Sequence, residues 1–214
     1  MTRIVLLVRH GETEDNRAGI FQGQGGGPLN ELGTAQATAC GMRLSAVKFR
    51  ACYSSEQPRA RQTAGHILRH TEASQNEVPV REDVRLREVD VGAWQGLQKP
   101  ALQLRFPDEF AAWEKGQDIR RGGGETYAEV GARFCAALEH AHHTEYEGTL
   151  LIVSHGGAIR SAVARLIGVP LDRLVGIRNT SVTALEYLGG EVGRLLLYND
   201  LRHTDDPLAK PPSH

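Results

Sequence analysis

Leu6 to Asn16 reads LLVRHGETEDN, and with Ile4 and Val5 before it the chain runs Ile4 to Val8 as an unbroken apolar stretch. A run without polar alternation is the pattern of a strand covered on both faces, as in a mainly parallel sheet. The chain then drops at once onto Arg9, His10, Gly11 and Glu12. A surface turn favours Asn, Asp, Gly or Pro at such a place, and a strand meant only to pack has no use for Arg9. LLIVSHGG, Leu150 to Gly157, repeats the arrangement: an apolar strand runs out into His155 and then glycine.

Working outward, strands alternate with helices. Asn30 is placed to cap a helix to about Val47, with Leu32, Ala35, Ala39 and Met42 at helical spacing. Ala51 to Ser54 reads as a second strand, and Pro58 as an early position of a helix to about His70. Val78 to Val80 reads as a third strand. The polar section Gln98 to Gly124 reads as two short helices broken near Pro107. A long helix follows, with Val130, Phe134, Leu138 and Ala141 on one side. Then come a strand at Leu150 to Val153, a helix from about Ala158 to Leu166, and strands around TALEYL and RLLLYN, joined by a hairpin at Gly189-Gly190.

This alternation predicts an α/β fold with a mainly parallel central sheet sandwiched by helices. In such sheets the ligand crevice lies beyond the carboxyl ends of the strands, where Arg9-His10 and His155-Gly156 both fall. Two strand-end histidines with arginines suit an anionic ligand, because guanidinium forks match phosphate oxygens. YSSEQPRARQTA, Tyr53 to Ala64, adds Arg59 near a helix N-terminus, where backbone N–H groups also favour an anion. Arg61 reads as a solvated helix residue. Metal ligation by the histidines is the rival chemistry, and Arg9 and Arg59 would oppose a divalent cation there.

Composition bounds the rest. The chain has 214 residues, 40% hydrophobic and 24% charged, enough to bury a full core in one domain. We read residues 1–202 as that domain and 203–214, which include DDPLAKPPSH, as a loose tail. A formal net charge of -1 gives no basic excess for a nucleic-acid partner. Nothing approaches the roughly 18 apolar residues of a membrane span, and the N-terminal apolar run is too short for a signal peptide. The expectation is a cytoplasmic protein with no membrane partner. Cys40, Cys52 and Cys135 have no metal-type spacing and read as reduced core thiols. His140, His142 and His143 read as an exposed helix end rather than a zinc site.

RHGET followed by Asn16, then RARQTA, LREVDVGAWQG and VSHGG, in this order from Ile4 to about Tyr198, resemble the motifs of the histidine phosphatase superfamily, also called phosphoglycerate mutase-like. The resemblance implies a three-layer α/β/α sandwich and a phosphohistidine mechanism needing no cofactor and no metal. It makes His10 the nucleophile and Glu88 the proton donor. It places Arg9, Asn16, Arg59, His155 and the Gly156 backbone on the phosphoryl group, and Gln22 and Gly23 on phosphate or substrate. The implied partner is a small phosphorylated metabolite, and a homodimer is compatible with it.

Two departures stand out. The family's Ser-x-Leu-x-Arg is here Ser55-Glu56-Gln57-Pro58-Arg59, and Gly26 stands where a small acidic residue is common, which suggests a looser first loop. Mutases of this family carry a longer insertion with a Trp-Arg-Arg-Ser-Tyr-type signature after the Glu motif. The short section ending in GGGET here resembles the phosphatase branches, with mutase as the alternative and a non-catalytic regulatory module on the same fold as the second. Arg120 and Arg121, just before the glycines on a mobile lid, read as a solvated basic pair, or functionally as contacts to a second anionic group. Trp94 reads as core, Trp113 as a possible stacking platform, Glu125 and Tyr127 as mouth residues, and Glu12 as a loop-shaping residue.

Overall fold

The computed structural model describes residues 3–71, 78–145, 148–189 and 192–204. Its strands are β1 (Arg3–Arg9), β2 (Phe49–Ser54), β3 (Val80–Glu82), β4 (Thr149–Ser154), β5 (Val182–Tyr187) and β6 (Val192–Asp200). The helices are α1 (Glu14–Ala18), α2 (Glu31–Arg43), α3 (Pro58–Arg69), α4 (Lys99–Arg105), α5 (Pro107–Glu114), α6 (Tyr127–Thr144) and α7 (Gly156–Ile167). The strands form one sheet in the order β3-β2-β4-β1-β5-β6. The first four in that order run parallel, and β5 and β6 are antiparallel additions.

The unbroken apolar runs are explained by two cores, one on each face of the sheet. Val5 and Leu7 of β1 and Leu150 and Ile152 of β4 pack with Val130, Phe134 and Leu138 of α6 and with Ile159 and Val163 of α7. Leu6, Val8, Leu151 and Val153, pointing the other way, pack with Cys40 of α2 and with Ala64, Ile67 and Leu68 of α3. Period-2 alternation here sorts residues between two dry layers instead of between core and water. Each fully buried Leu or Val contributes about 1.5–3 kcal/mol through this burial.

Local signals read from sequence recur as geometry. Asn30 caps α2 by accepting the Gly33 N–H, and Pro58 is the first residue of α3. Pro107 starts α5 directly after Phe106, so the two short helices meet at the expected break. The third strand sits later than Val78 to Val80, at Val80–Glu82. Its partner β2 fixes that position, since Cys52, Tyr53 and Ser54 pair with Val80, Arg81 and Glu82.

The buried side of α2 is not the apolar series at helical spacing. Leu32 and Met42 are exposed, whereas Gly33, Ala37, Cys40 and Gly41 are buried. Close approach decides this. A Cβ on Gly41 would stand 3.0 Å from the Ile67 backbone of α3, and one on Gly33 would overlap the Glu12 backbone. Small residues therefore face inward, and the large ones are left outside.

Cys40 and Cys52 are buried and free, their thiols pushed up to about 12 by burial. Cys135 is half-buried. The chain is still packed at His203, whose ring lies against Arg43 and Thr180, so the tail does not begin at residue 203; residues 205–214 lie outside the described residues, as does Gly190 of the expected hairpin. No described helix is long and apolar enough to cross a membrane.

Candidate active site

The register of β1 against β4 assembles the centre. Arg9 pairs with Ser154, so the next residues of both strands, His10 and His155, become neighbours. The His10 N–H donates to the Ser154 carbonyl at 2.9 Å, and the two imidazole rings lie 5.1 Å apart. Both histidines are buried. β2 ends at the same edge and delivers Arg59 through the first turn of α3.

His10 has a defined tautomer. Its Nδ1 lies 2.7 Å from the Gly11 carbonyl oxygen. A carbonyl only accepts, so Nδ1 carries the hydrogen and Nε2 carries the lone pair. That lone pair meets Arg59 Nε–H at 3.3 Å, a long contact that a substrate oxygen can displace. Burial, then Arg9, then Arg59, hold the His10 imidazole well below the usual histidine range, so it is neutral. Burial, Arg59 and His10 do the same to His155, whose two ring nitrogens have no partner.

Arg59 is fully buried and latched to the first loop. Its Nη1 donates to the Gly25 carbonyl at 2.5 Å and its Nη2 to the Gly23 carbonyl at 3.0 Å. Burial lowers its pKa to about 10, which leaves it a cation at neutral pH. Arg9 donates from Nη1 to the Ile177 carbonyl at 2.7 Å, while its buried Nε has no partner. Glu88 is held at the N-terminus of α7, accepting the Gly157 N–H at 3.2 Å and the Ala158 N–H at 3.0 Å.

A cavity of about 200 Å³ joins these groups. Arg9, His10, Asn16, Gln22, Gly23, Arg59 and Glu88 line it, and Phe21, Val91, Arg121 and Tyr127 are among the other residues of its wall. His155 and Gly156 do not line it. His155 is fully buried beside the His10 ring, and Gly156 follows it at the start of α7. Asn16 is fixed by the capping box of α1, and its Oδ1 accepts from Asn179 at 3.3 Å. Gln22 is buried with its Oε1 unpartnered.

The departures from the family pattern have structural uses. Gln57 is buried and bridges two loops: its Nε2 donates to the Gly23 and Gly25 carbonyls at 3.4 Å, and its Oε1 accepts the Glu88 N–H at 3.1 Å. Gly26 has φ +89°, and a Cβ there would overlap Gln22 Oε1. The loop is pinned by Arg59, Gln57 and Gln95 rather than left loose. The GGGET turn is likewise docked. A Cβ on Gly124 would overlap the Asp90 carbonyl, and the Glu125 N–H donates to that carbonyl at 2.8 Å.

Sequence reasoning passed over Arg133, Asn179 and Gln57. Arg133 of α6 donates to the Arg85, Arg87 and Glu88 carbonyls and pairs bidentately with Glu125, holding the loop that carries Glu88. Asn179 donates to the His10 carbonyl at 2.9 Å. Arg120 is exposed and pairs with Glu129, but Arg121 is buried, so the two are not a solvated pair. Trp94 is in the core as expected, and Trp113 packs edge-on against it. Glu12 shapes its loop, accepting from Asn30 at 2.9 Å. Among the described residues, no cluster of three or more His, Cys, Asp or Glu is placed to hold a metal ion.

Residues 5–201 match the sequence profile of the histidine phosphatase superfamily (branch 1). A 2,3-bisphosphoglycerate-dependent phosphoglycerate mutase of Brucella ovis is 33% identical over 180 residues, 82% of this chain and 86% of that protein. A mycobacterial glucosyl-3-phosphoglycerate phosphatase, solved in complex with VO3, superposes with a TM-score of 0.81 at 30% identity, over 92% of this chain and 98% of that one. YhfR of Bacillus stearothermophilus superposes with a TM-score of 0.84 at 30% identity, over 94% of this chain and 98% of that one.

Proposed function

The chain belongs to the histidine phosphatase superfamily, and we propose that within it this protein is a phosphomonoesterase acting on a small phosphorylated metabolite through a phosphohistidine. The observation that carries the reading is the neutral, buried His10 with its Nε2 lone pair on the cavity shared by Arg9, Arg59 and Glu88. Nε2 attacks phosphorus, the bond to the leaving oxygen breaks, and Glu88 gives that oxygen a proton. The Gly11 carbonyl supports the positive charge that forms on the ring. Arg9, Arg59 and His155 stabilise the equatorial oxygens. Water then attacks phospho-His10, Glu88 recovers a proton from it, and inorganic phosphate leaves.

Mutase chemistry is the second reading, favoured by the 33% identity to the Brucella enzyme. A mutase must exclude water while its intermediate reorients; a phosphatase must admit it. The short α4–α5 section and the GGGET turn support the phosphatase. Two assays decide: hydrolysis of p-nitrophenyl phosphate, and interconversion of 3-phosphoglycerate and 2-phosphoglycerate. We expect the first to dominate. Rapid alkaline quench with labelled substrate should leave an acid-labile, base-stable phosphoryl group on His10. Label on His155, Ser or Cys would refute the mechanism. Activity should survive EDTA, since Arg9 and Arg59 supply the positive charge that metal phosphatases take from ions. Loss on chelation with recovery on adding Mg²⁺ or Zn²⁺ would overturn it.

A further inference from the structure

Among the described residues, Arg121 is the one cavity-lining cation that the reaction above leaves without a task. It is 3% exposed, yet its Nε and Nη2 have no hydrogen-bond partner. Only Nη1 is satisfied, donating to the Tyr127 hydroxyl at 2.9 Å, and the guanidinium carbon sits 4.0 Å from the centre of the Tyr127 ring. Among the described residues, no carboxylate takes it. Glu125 is committed to Arg133, and Glu109 accepts the Gly122 N–H. A buried guanidinium with two idle nitrogens is costly unless an anion completes it.

Backbone packing holds Arg121 in that place. Gly122, next in the chain, has φ +55°, and a Cβ there would stand 2.7 Å from the Trp94 nitrogen. A Cβ on Gly92 would overlap the Gly122 carbonyl. The glycine turn is thus pressed onto the loop that follows Glu88, and stacking on Tyr127 fixes the plane of the guanidinium. Arg121 is therefore a preorganised fork on the same wall system as His10 and Glu88.

Resting on the phosphomonoesterase reading, the geometry points to Arg121 as the receptor for a second anionic group on the substrate, a carboxylate or a second phosphate separate from the one transferred. The substrate class is then a small phosphomonoester with two acidic groups. The 200 Å³ cavity is below the roughly 300 Å³ at which drug-sized ligand sites begin, which suits a leaving group of a few carbons.

The test compares substrates with and without the second acidic group: 3-phosphoglycerate against its methyl ester, and 1,3-propanediol bisphosphate, counted per phosphate, against the monophosphate. In the wild type, kcat/KM should favour the doubly acidic member of at least one pair by tenfold or more, and the pair that responds tells carboxylate from phosphate. Arg121→Met should collapse that ratio towards one, and Arg121→Lys should restore part of it. Ratios near one for both wild-type pairs, or a ratio kept by a folded Arg121→Met, would overturn the proposal. If Arg121→Met does not fold, the wild-type comparison decides alone. If the wild type hydrolyses neither these esters nor p-nitrophenyl phosphate, the phosphomonoesterase reading falls by itself. Calorimetric binding of the same pairs then reads Arg121's preference, with equal affinities counting against it.

Discussion

In the proposed reaction, His10 and Glu88 divide the chemistry by what each atom already touches. Nδ1 of His10 is held by Gly11 and cannot attack, so Nε2 is the only ring atom free to do so. His10→Ala should therefore abolish turnover, not merely weaken binding. Glu88 serves the leaving oxygen in the first half of that proposed reaction and the attacking water in the second. Glu88→Gln should slow an alkyl phosphate by about 10²–10⁴-fold, the usual worth of a general acid, and slow p-nitrophenyl phosphate far less, because phenolate leaves with little help. Parallel kcat measurements on the two esters check this, and equal losses would remove Glu88 from the donor role.

At the scale of elements, the sheet supplies His10 and Arg9, whereas Glu88 sits on irregular chain that must be held from outside. α6 does so through Arg133, which gathers three carbonyls and the Glu125 carboxylate. Glu125 in turn accepts the Asp90 N–H at 2.9 Å. Arg133→Met should cost about 2–4 kcal/mol of stability, since it removes the ion pair of the half-buried Glu125 carboxylate and the donor to the Arg85 and Arg87 carbonyls. It should also lower kcat on alkyl phosphates more than on p-nitrophenyl phosphate, because the residue acts through the position of Glu88. Denaturant titration and the ester comparison read the two effects separately, and a uniform loss on both esters would make Arg133 purely structural.

Across the whole molecule, neutral buried histidines couple stability to pH. His10 and His155 are held well below the usual range by burial and arginines, and His203 is lowered to about 4 by burial and Arg43. The unfolded chain binds protons at these rings near pH 6.5, and the folded one does not. The unfolded state thus binds more protons between about pH 6.5 and 4, so stability rises with pH through that window. The urea midpoint of the apo protein should be constant from pH 8 to 7 and fall as pH drops from 6.5 to 5. A flat profile would mean that these rings are protonated in the folded protein. Leu7→Ala, in the middle of β1 with no exposed surface, should cost about 2–5 kcal/mol, measured by the same titration.

How far the sequence reached follows from the range of the forces involved. Ile4 to Val8 and Leu150 to Val153 announced buried strands, Asn30 and Pro58 announced helix starts, and strand-end position put His10 and His155 at one sheet edge. Those signals are local: side-chain period, a cap, a fixed φ. Which face of α2 is buried was not local. Gly33 and Gly41 are inside because neighbouring backbone passes too close for a Cβ, and no hydrophobicity pattern contains that distance. Gln57 looked like a lost leucine until the folded chain brought the Gly23 carbonyl and the Glu88 amide to its two ends. Arg120 and Arg121 are identical side chains in adjacent positions, yet one meets Glu129 in solvent and the other is sealed against Tyr127. The sequence alone determined that this chain makes an α/β sheet with two histidines and two arginines gathered at one edge. Only the tertiary structure decided which groups close around that edge, because burial and pairing are set by residues brought together from distant parts of the chain.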